Sequence, residues 1–306
     1  MSVRIGINPL TWSNDDMPSL GADISLEQCL AEGRQAGYAG FELGHKFPRK
    51  EAQLRPLLEG HGLALVSGWY SARLLQRSVA DEVAALQDHL VLLRAFSSNV
   101  MVFAEVTRCI HGDQGVPLSR RPELNAQEWA SFGSKLTEVA DAMQGQGMRM
   151  AYHHHMGTVV QTEADIDQLM AHTGENVGLL LDTGHLVFSG GDPLAVIDRH
   201  GSRIAHVHCK DLRFPVLQNC LQRDSGFLDA VLEGVFTVPG DGDIDFAPVL
   251  GALAKKQYSG WLVVEAEQDP AVAHPLTYAS KGYATLSSLC DRVGLSHELQ
   301  GEGIKQ

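Results

Sequence analysis

The sequence predicts a single (β/α)8 barrel, on three observations. Short apolar runs alternate with helix-period segments from end to end, the runs number eight, and each stays apolar until its last residue or two. Strands of that kind are buried on both faces, as in a parallel sheet covered by helices. The 306 residues suit one barrel of roughly 250 residues with insertions, so the reading is one domain over 1–306.

Taken in order, the first strand is Val3–Ile7, followed by a helix at Ser25–Ala36. The turn Gly37-Tyr38-Ala39-Gly40 introduces the second, Gly40–Leu43, and the third is Leu63–Ser67 with a long helix at Val79–Ala95 behind it. Asn99–Glu105 is the fourth, before an amphipathic helix at Ala126–Gln144. Arg149–His153, Val177–Asp182, Ile204–His208 and Trp261–Glu265 complete the set. The one long irregular stretch, 212–246, carries Pro215, Pro239 and Gly240-Asp241-Gly242-Asp243. A loop there lies on the C-terminal face of a barrel, so a lid over an active site is expected. A doubly wound dinucleotide fold would need a Gly-rich turn after the first strand, which Ile5-Gly6-Ile7-Asn8-Pro9 does not supply.

Formal charge is −13, with no basic cluster, which argues against a nucleic-acid partner. The five cysteines are scattered and form no CxxC pair, which fits reduced thiols in the cytoplasm rather than disulfides or a zinc ribbon. Met1-Ser2-Val3-Arg4 runs straight into a strand instead of a signal segment. No apolar run approaches the roughly 20 residues of a membrane helix. Association into a homo-oligomer is left open.

Function is legible where the strands end. The second ends in Phe41-Glu42-Leu43-Gly44-His45 and the fifth in Tyr152-His153-His154-His155. The sixth ends in Leu181-Asp182-Thr183-Gly184-His185, the seventh in His206-Val207-His208-Cys209-Lys210-Asp211, the eighth in Val264-Glu265-Ala266-Glu267. A barrel gathers these ends at one mouth, and converging carboxylates and imidazoles suit a divalent metal ion, Mn2+, Co2+, Zn2+ or Mg2+. Strand alternation puts His206 with His208 on one face and Glu265 with Glu267 on one face, and turns Cys209 away into packing. Each motif alone also has a plain structural reading. Asp182-Thr183-Gly184-His185 can be a turn and helix cap, the triple histidine a hydrogen-bonded cluster, and Lys210 an exposed salt bridge. Five charged or imidazole-bearing strand ends together resist that reading, because unpaired buried charge costs several kcal/mol.

At these residues the chain resembles the xylose-isomerase-like barrel superfamily of sugar isomerases, epimerases and lyases. Within it, the chain is similar to the inosose dehydratase family of myo-inositol catabolism. The segments that carry the resemblance include 6–16, from Gly6 to Asp16, then Tyr152-His153-His154-His155-Met156-Gly157-Thr158, Val238-Pro239-Gly240-Asp241-Gly242 and Val264-Glu265-Ala266-Glu267-Gln268-Asp269-Pro270. The resemblance implies a metal held by Asp182, His208 and Glu265. At the position where relatives carry a strand-five Glu, this chain has His153. The fourth ligand is then His153 or a water, with Glu42 or Glu267 as the other ways to complete the shell.

The implied substrate is scyllo-inosose, a cyclitol ketone with five hydroxyls, and the implied reaction is loss of water to a trihydroxycyclohexanedione. That chemistry needs a base for the proton next to the carbonyl and an acid for the departing hydroxide. Glu42 or Glu267 is expected as the base, His155 and His185 as proton donors, and Lys210 as electrostatic support. The rival from the same superfamily is a ketose or polyol isomerase or epimerase, which would share every metal ligand but keep the hydroxyl count of its substrate. From another class, a non-catalytic sugar-binding protein would hold a polyol without turning it over.

Overall fold

A computed structural model describes residues 2–297. Eight parallel strands close into a barrel: β1 Ser2–Ile7, β2 Gly40–Leu43, β3 Ala64–Ala72, β4 Val100–Glu105, β5 Arg149–His153, β6 Val177–Asp182, β7 Ile204–Cys209 and β8 Gly260–Val264. Each pairs with its neighbours in sequence, and β1 closes the ring on β8 with Ile5 opposite Leu262. The expected barrel is therefore present, with every strand at or near its expected place.

Twelve α-helices occur among the described residues. The local signals behave as their chemistry requires. Ser25 caps α1 (Leu26–Ala36) by accepting from the Gln28 amide, and Gly37 ends it in the left-handed region at φ 116°. Asn125 and Glu128 form a reciprocal capping box at the start of α5 (Ala126–Gln144). The apolar faces of these helices and the outward side chains of the strands share one continuous core.

Three local readings change. The helix expected over 79–95 is two, α3 (Val79–Ala85) and α4 (Gln87–Ala95), meeting at Leu86, where ψ tightens to −8°. The third strand continues past Ser67 to Ala72 because Gly68 is not a break. A Cβ there would lie 2.8 Å from the His89 ring, so the glycine serves close packing. The stretch 212–246 is structured rather than irregular. It holds α9 (Phe214–Gln222) and α10 (Phe227–Leu232), and Phe236–Thr237 pairs antiparallel with Asp211–Leu212. Leu212, Leu217, Phe227, Val231 and Phe236 give it an apolar core of its own against Met156 and Phe188.

The barrel interior is filled at its N-terminal end. Arg4 lies 4.1 Å above the Trp261 ring, and Gly6 and Gly40 leave room for that indole. Alternation from Arg4 through Gly6 to Asn8, and from Gly40 to Glu42, carries the same inward face up to the mouth.

Candidate metal centre and catalytic cavity

Four side chains meet where β5, β6, β7 and β8 end. Single ligand atoms of His153, Asp182, His208 and Glu265 all lie within 4.8 Å of one another. Asp182 Oδ2 is 3.7 Å from His153 Nε2 and 3.5 Å from His208 Nδ1, which is 3.0 Å from Glu265 Oε2. Parallel register sets this up, since Asp182 is paired with His208 across β6 and β7.

Local bonds aim each group. His153 donates its Nδ1 proton to the His154 carbonyl at 2.5 Å, which leaves the Nε2 lone pair directed at the cluster. Asp182 spends Oδ1 on capping α7 (Thr183–Phe188), accepting from the His185 amide at 2.8 Å, so the cap and the candidate ligand are one residue. Burial, with help from the charge on His208, holds the His153 imidazole well below its ordinary value and so neutral. For His208 burial acts the same way, but the Glu265 and Glu42 carboxylates overcome it and hold the imidazole well above its ordinary value.

His153 Nε2, Asp182 Oδ2 and His208 Nδ1 are buried without a hydrogen-bond partner. The first two are orphaned acceptors, costing about 1–3 kcal/mol each, and the third is an imidazole nitrogen whose proton a divalent cation would displace, so one ion would satisfy all three. Nitrogen and oxygen donors without thiolate fit Mn2+, Co2+ or Mg2+ better than a structural zinc. The residues present therefore fit the metal.

Behind the cluster stands Lys210, with none of its side chain exposed. Its ammonium lies 2.7 Å from Glu265 Oε1, 2.7 Å from Glu267 Oε2 and 2.9 Å from His185 Nε2. An exposed salt bridge is thus excluded, and all three protons of the ammonium have acceptors. Burial works against the charge on Lys210, but the two glutamates outweigh it. Burial, opposed by Lys210 and assisted by Glu265, lifts the Glu267 carboxyl above the ordinary carboxylate range.

A cavity of about 330 Å³ opens over the cluster, lined by Glu42, His153, His155, His208, Glu265 and Glu267 among others. That volume admits one small ring molecule. His155 donates Nδ1–H to the Met156 carbonyl at 2.8 Å, and burial keeps its imidazole well below the usual range. His185 does not line this cavity; it packs behind His155 at 3.9 Å between ring centroids, bound to Lys210. Phe227 from α10 covers both imidazoles, 4.9 and 5.7 Å from their centroids. His154 faces the other way and accepts from the Asp182 amide at 3.3 Å. Cys209 is buried in the outer core, as expected.

Sequence reasoning did not single out Asn8, Trp69, Arg49, Asp16 or His111, all of which line the cavity. Asn8 was within reach, because it ends the first strand as the other polar residues end theirs. Trp69 was not, because it lies beyond the apolar run read as the third strand, which stops at Ser67.

A barrel whose strand ends meet around a buried, metal-competent His/Asp/His/Glu cluster defines a class, and the comparisons place the chain in it. The family model of xylose isomerase-like TIM barrels matches residues 30–289, and the chain belongs to that family. Among curated relatives, it is 53% identical to the rhizopine catabolism protein MocC of Rhizobium meliloti, over 96% of this chain and 90% of that one. It is 44% identical to inosose dehydratase of Geobacillus thermodenitrificans, over 94% of this chain and 97% of the relative. The corresponding enzyme of Clostridium tetani is 45% identical, over 91% and 94%. Among solved structures, an L-ribulose 3-epimerase superposes at a TM-score of 0.66 with 18% identity, over 95% of this chain and 96% of that chain, which shows the shared fold.

Proposed function

We propose that this protein is a cytoplasmic, Mn2+- or Co2+-dependent inosose dehydratase. The observation that carries the reading is the buried His153/Asp182/His208/Glu265 cluster beneath a ring-sized cavity, in a chain 44% identical to an inosose dehydratase over nearly its whole length. Five free cysteines support a reducing compartment.

When bound by these four residues, the ion supplies Lewis-acid polarisation of the substrate ketone and neutralises the negative charge that develops on it. Two groups facing the cavity then handle protons. His155, whose Nδ1 proton is fixed on Met156, presents the Nε2 lone pair and takes the proton next to the carbonyl. Glu267, with one oxygen held by Lys210, delivers a proton to the departing hydroxyl. These assignments reverse the roles expected from sequence, where the imidazoles donate and a glutamate accepts. The reason is the tautomer: a neutral imidazole with Nδ1–H engaged offers the cavity an acceptor, not a donor. His185 and Lys210 hold Glu267 in place without facing the cavity.

The test is to strip the metal, restore Mn2+ or Co2+, supply inosose and analyse product mass. Loss of one water with metal present supports the proposal; a product of unchanged mass establishes the isomerase reading instead. The relative named for rhizopine catabolism favours a second reading, a substrate from that route. Turnover of a rhizopine-derived ketone with none of inosose would select it.

A further inference from the structure

We propose that Glu42 is a positioning residue of the metal centre, holding His208 by its Nε2 edge so that Nδ1 faces Asp182 and Glu265. Glu42 Oε2 lies 3.1 Å from His208 Nε2, on the far side of the ring from Nδ1. The contact is an ion pair off the line of a hydrogen bond, and a carboxylate so placed draws the ring proton to the outer nitrogen and leaves the inner one to coordinate.

Glu42 is itself held from two sides. His206 Nε2 contacts Oε1 at 2.8 Å, and the Asn8 amide donates to Oε2 at 2.8 Å. The same Asn8 nitrogen donates to Glu265 Oε2 at 2.9 Å. The contacts run from Glu42 to Asn8, to Glu265, to His208 and back to Glu42, a closed circuit drawn from β2, β7 and the residues following β1 and β8. His206 and Glu42 are 164 positions apart, and the circuit spans the barrel lumen. Both oxygens of Glu42 are thereby engaged, so it is not the group that takes a proton from substrate, although it lines the cavity. This role also accounts for His206, a buried imidazole the reaction does not otherwise use.

The inference rests on the metal reading of the cluster but not on the identity of the substrate. Its primary readout is therefore the Mn2+ dissociation constant, measured by titration on the wild type, Glu42→Gln, Glu42→Asp and His206→Gln. Glu42→Gln is expected to weaken Mn2+ binding by about 10–100-fold. Glu42→Asp and His206→Gln should fall between it and the wild type, and saturating Mn2+ should restore most of the turnover of all three. If Glu42→Gln fails to fold, Glu42→Asp and His206→Gln carry the test. Wild-type affinity in the variants that fold overturns the proposal, most clearly if turnover is lost at saturating metal, which would make Glu42 act on substrate. A wild type that binds no divalent ion overturns the metal reading itself, a failure visible without any variant.

Discussion

Lys210 Nζ lies 2.7 Å from Glu265 Oε1, while Oε2 of the same carboxylate is 3.0 Å from His208 Nδ1. One glutamate thus divides its oxygens between a fixed ammonium and the cluster. The ammonium also binds Glu267, so the proposed metal centre and the proposed proton donor share a single buried cation.

Removing that cation should be costly. Lys210→Met leaves two buried glutamates without their partner, and about 3–5 kcal/mol of stability should be lost in urea denaturation. Mn2+ should raise the melting temperature of this variant more than that of the wild type, because the ion replaces part of the missing positive charge. Wild-type stability in Lys210→Met would refute the role given to this network.

Metal removal should lower stability as well as activity. For a ligand that binds only the folded state, Mn2+ at 100 times its dissociation constant adds about 2.7 kcal/mol. Chelation should lower the wild-type melting temperature accordingly. Asp182→Asn, which weakens the donor set, should show no such response and no turnover. Unchanged metal content and activity in this variant would remove Asp182 from the centre.

His153 separates two versions of the site. His153→Ala should weaken Mn2+ binding, whereas His153→Glu should keep it and lose dehydration, since a carboxylate makes the site one charge more negative and the ion a weaker Lewis acid. The reverse pattern in metal titrations, with Ala binding and Glu not, would show that His153 is no ligand.

The two proton-handling residues can be told apart in deuterated water. Glu267→Gln should still exchange the substrate proton next to the carbonyl, followed by NMR, while releasing no water. His155→Gln should abolish exchange and dehydration together. Exchange that survives in His155→Gln but stops in Glu267→Gln would restore the roles expected from sequence.

Much of this site was legible because strand ends in a barrel converge whatever their distance in sequence. Asp182, His208 and Glu265 each close an apolar run, so alternation and fold class together brought them to one mouth. What pattern could not supply was partnership. That Glu42 meets His206, or that Lys210 faces inward, depends on contacts across the lumen and on burial. Trp69 and the full length of β3 were hidden by Gly68, whose flexibility suggests a break and whose actual use is to admit the His89 ring. The two helices in 214–232 were masked by the Pro215 and Gly240 signals around them, although Phe227 proves to be the residue that roofs His155.

The Arg4–Trp261 pair at the opposite end gives the barrel a floor. With that end stoppered, traffic is confined to one doorway: substrate arrives, and product and the eliminated water depart, past the same side chains. Departure must precede the next arrival, so the product should compete directly with substrate for the unoccupied enzyme.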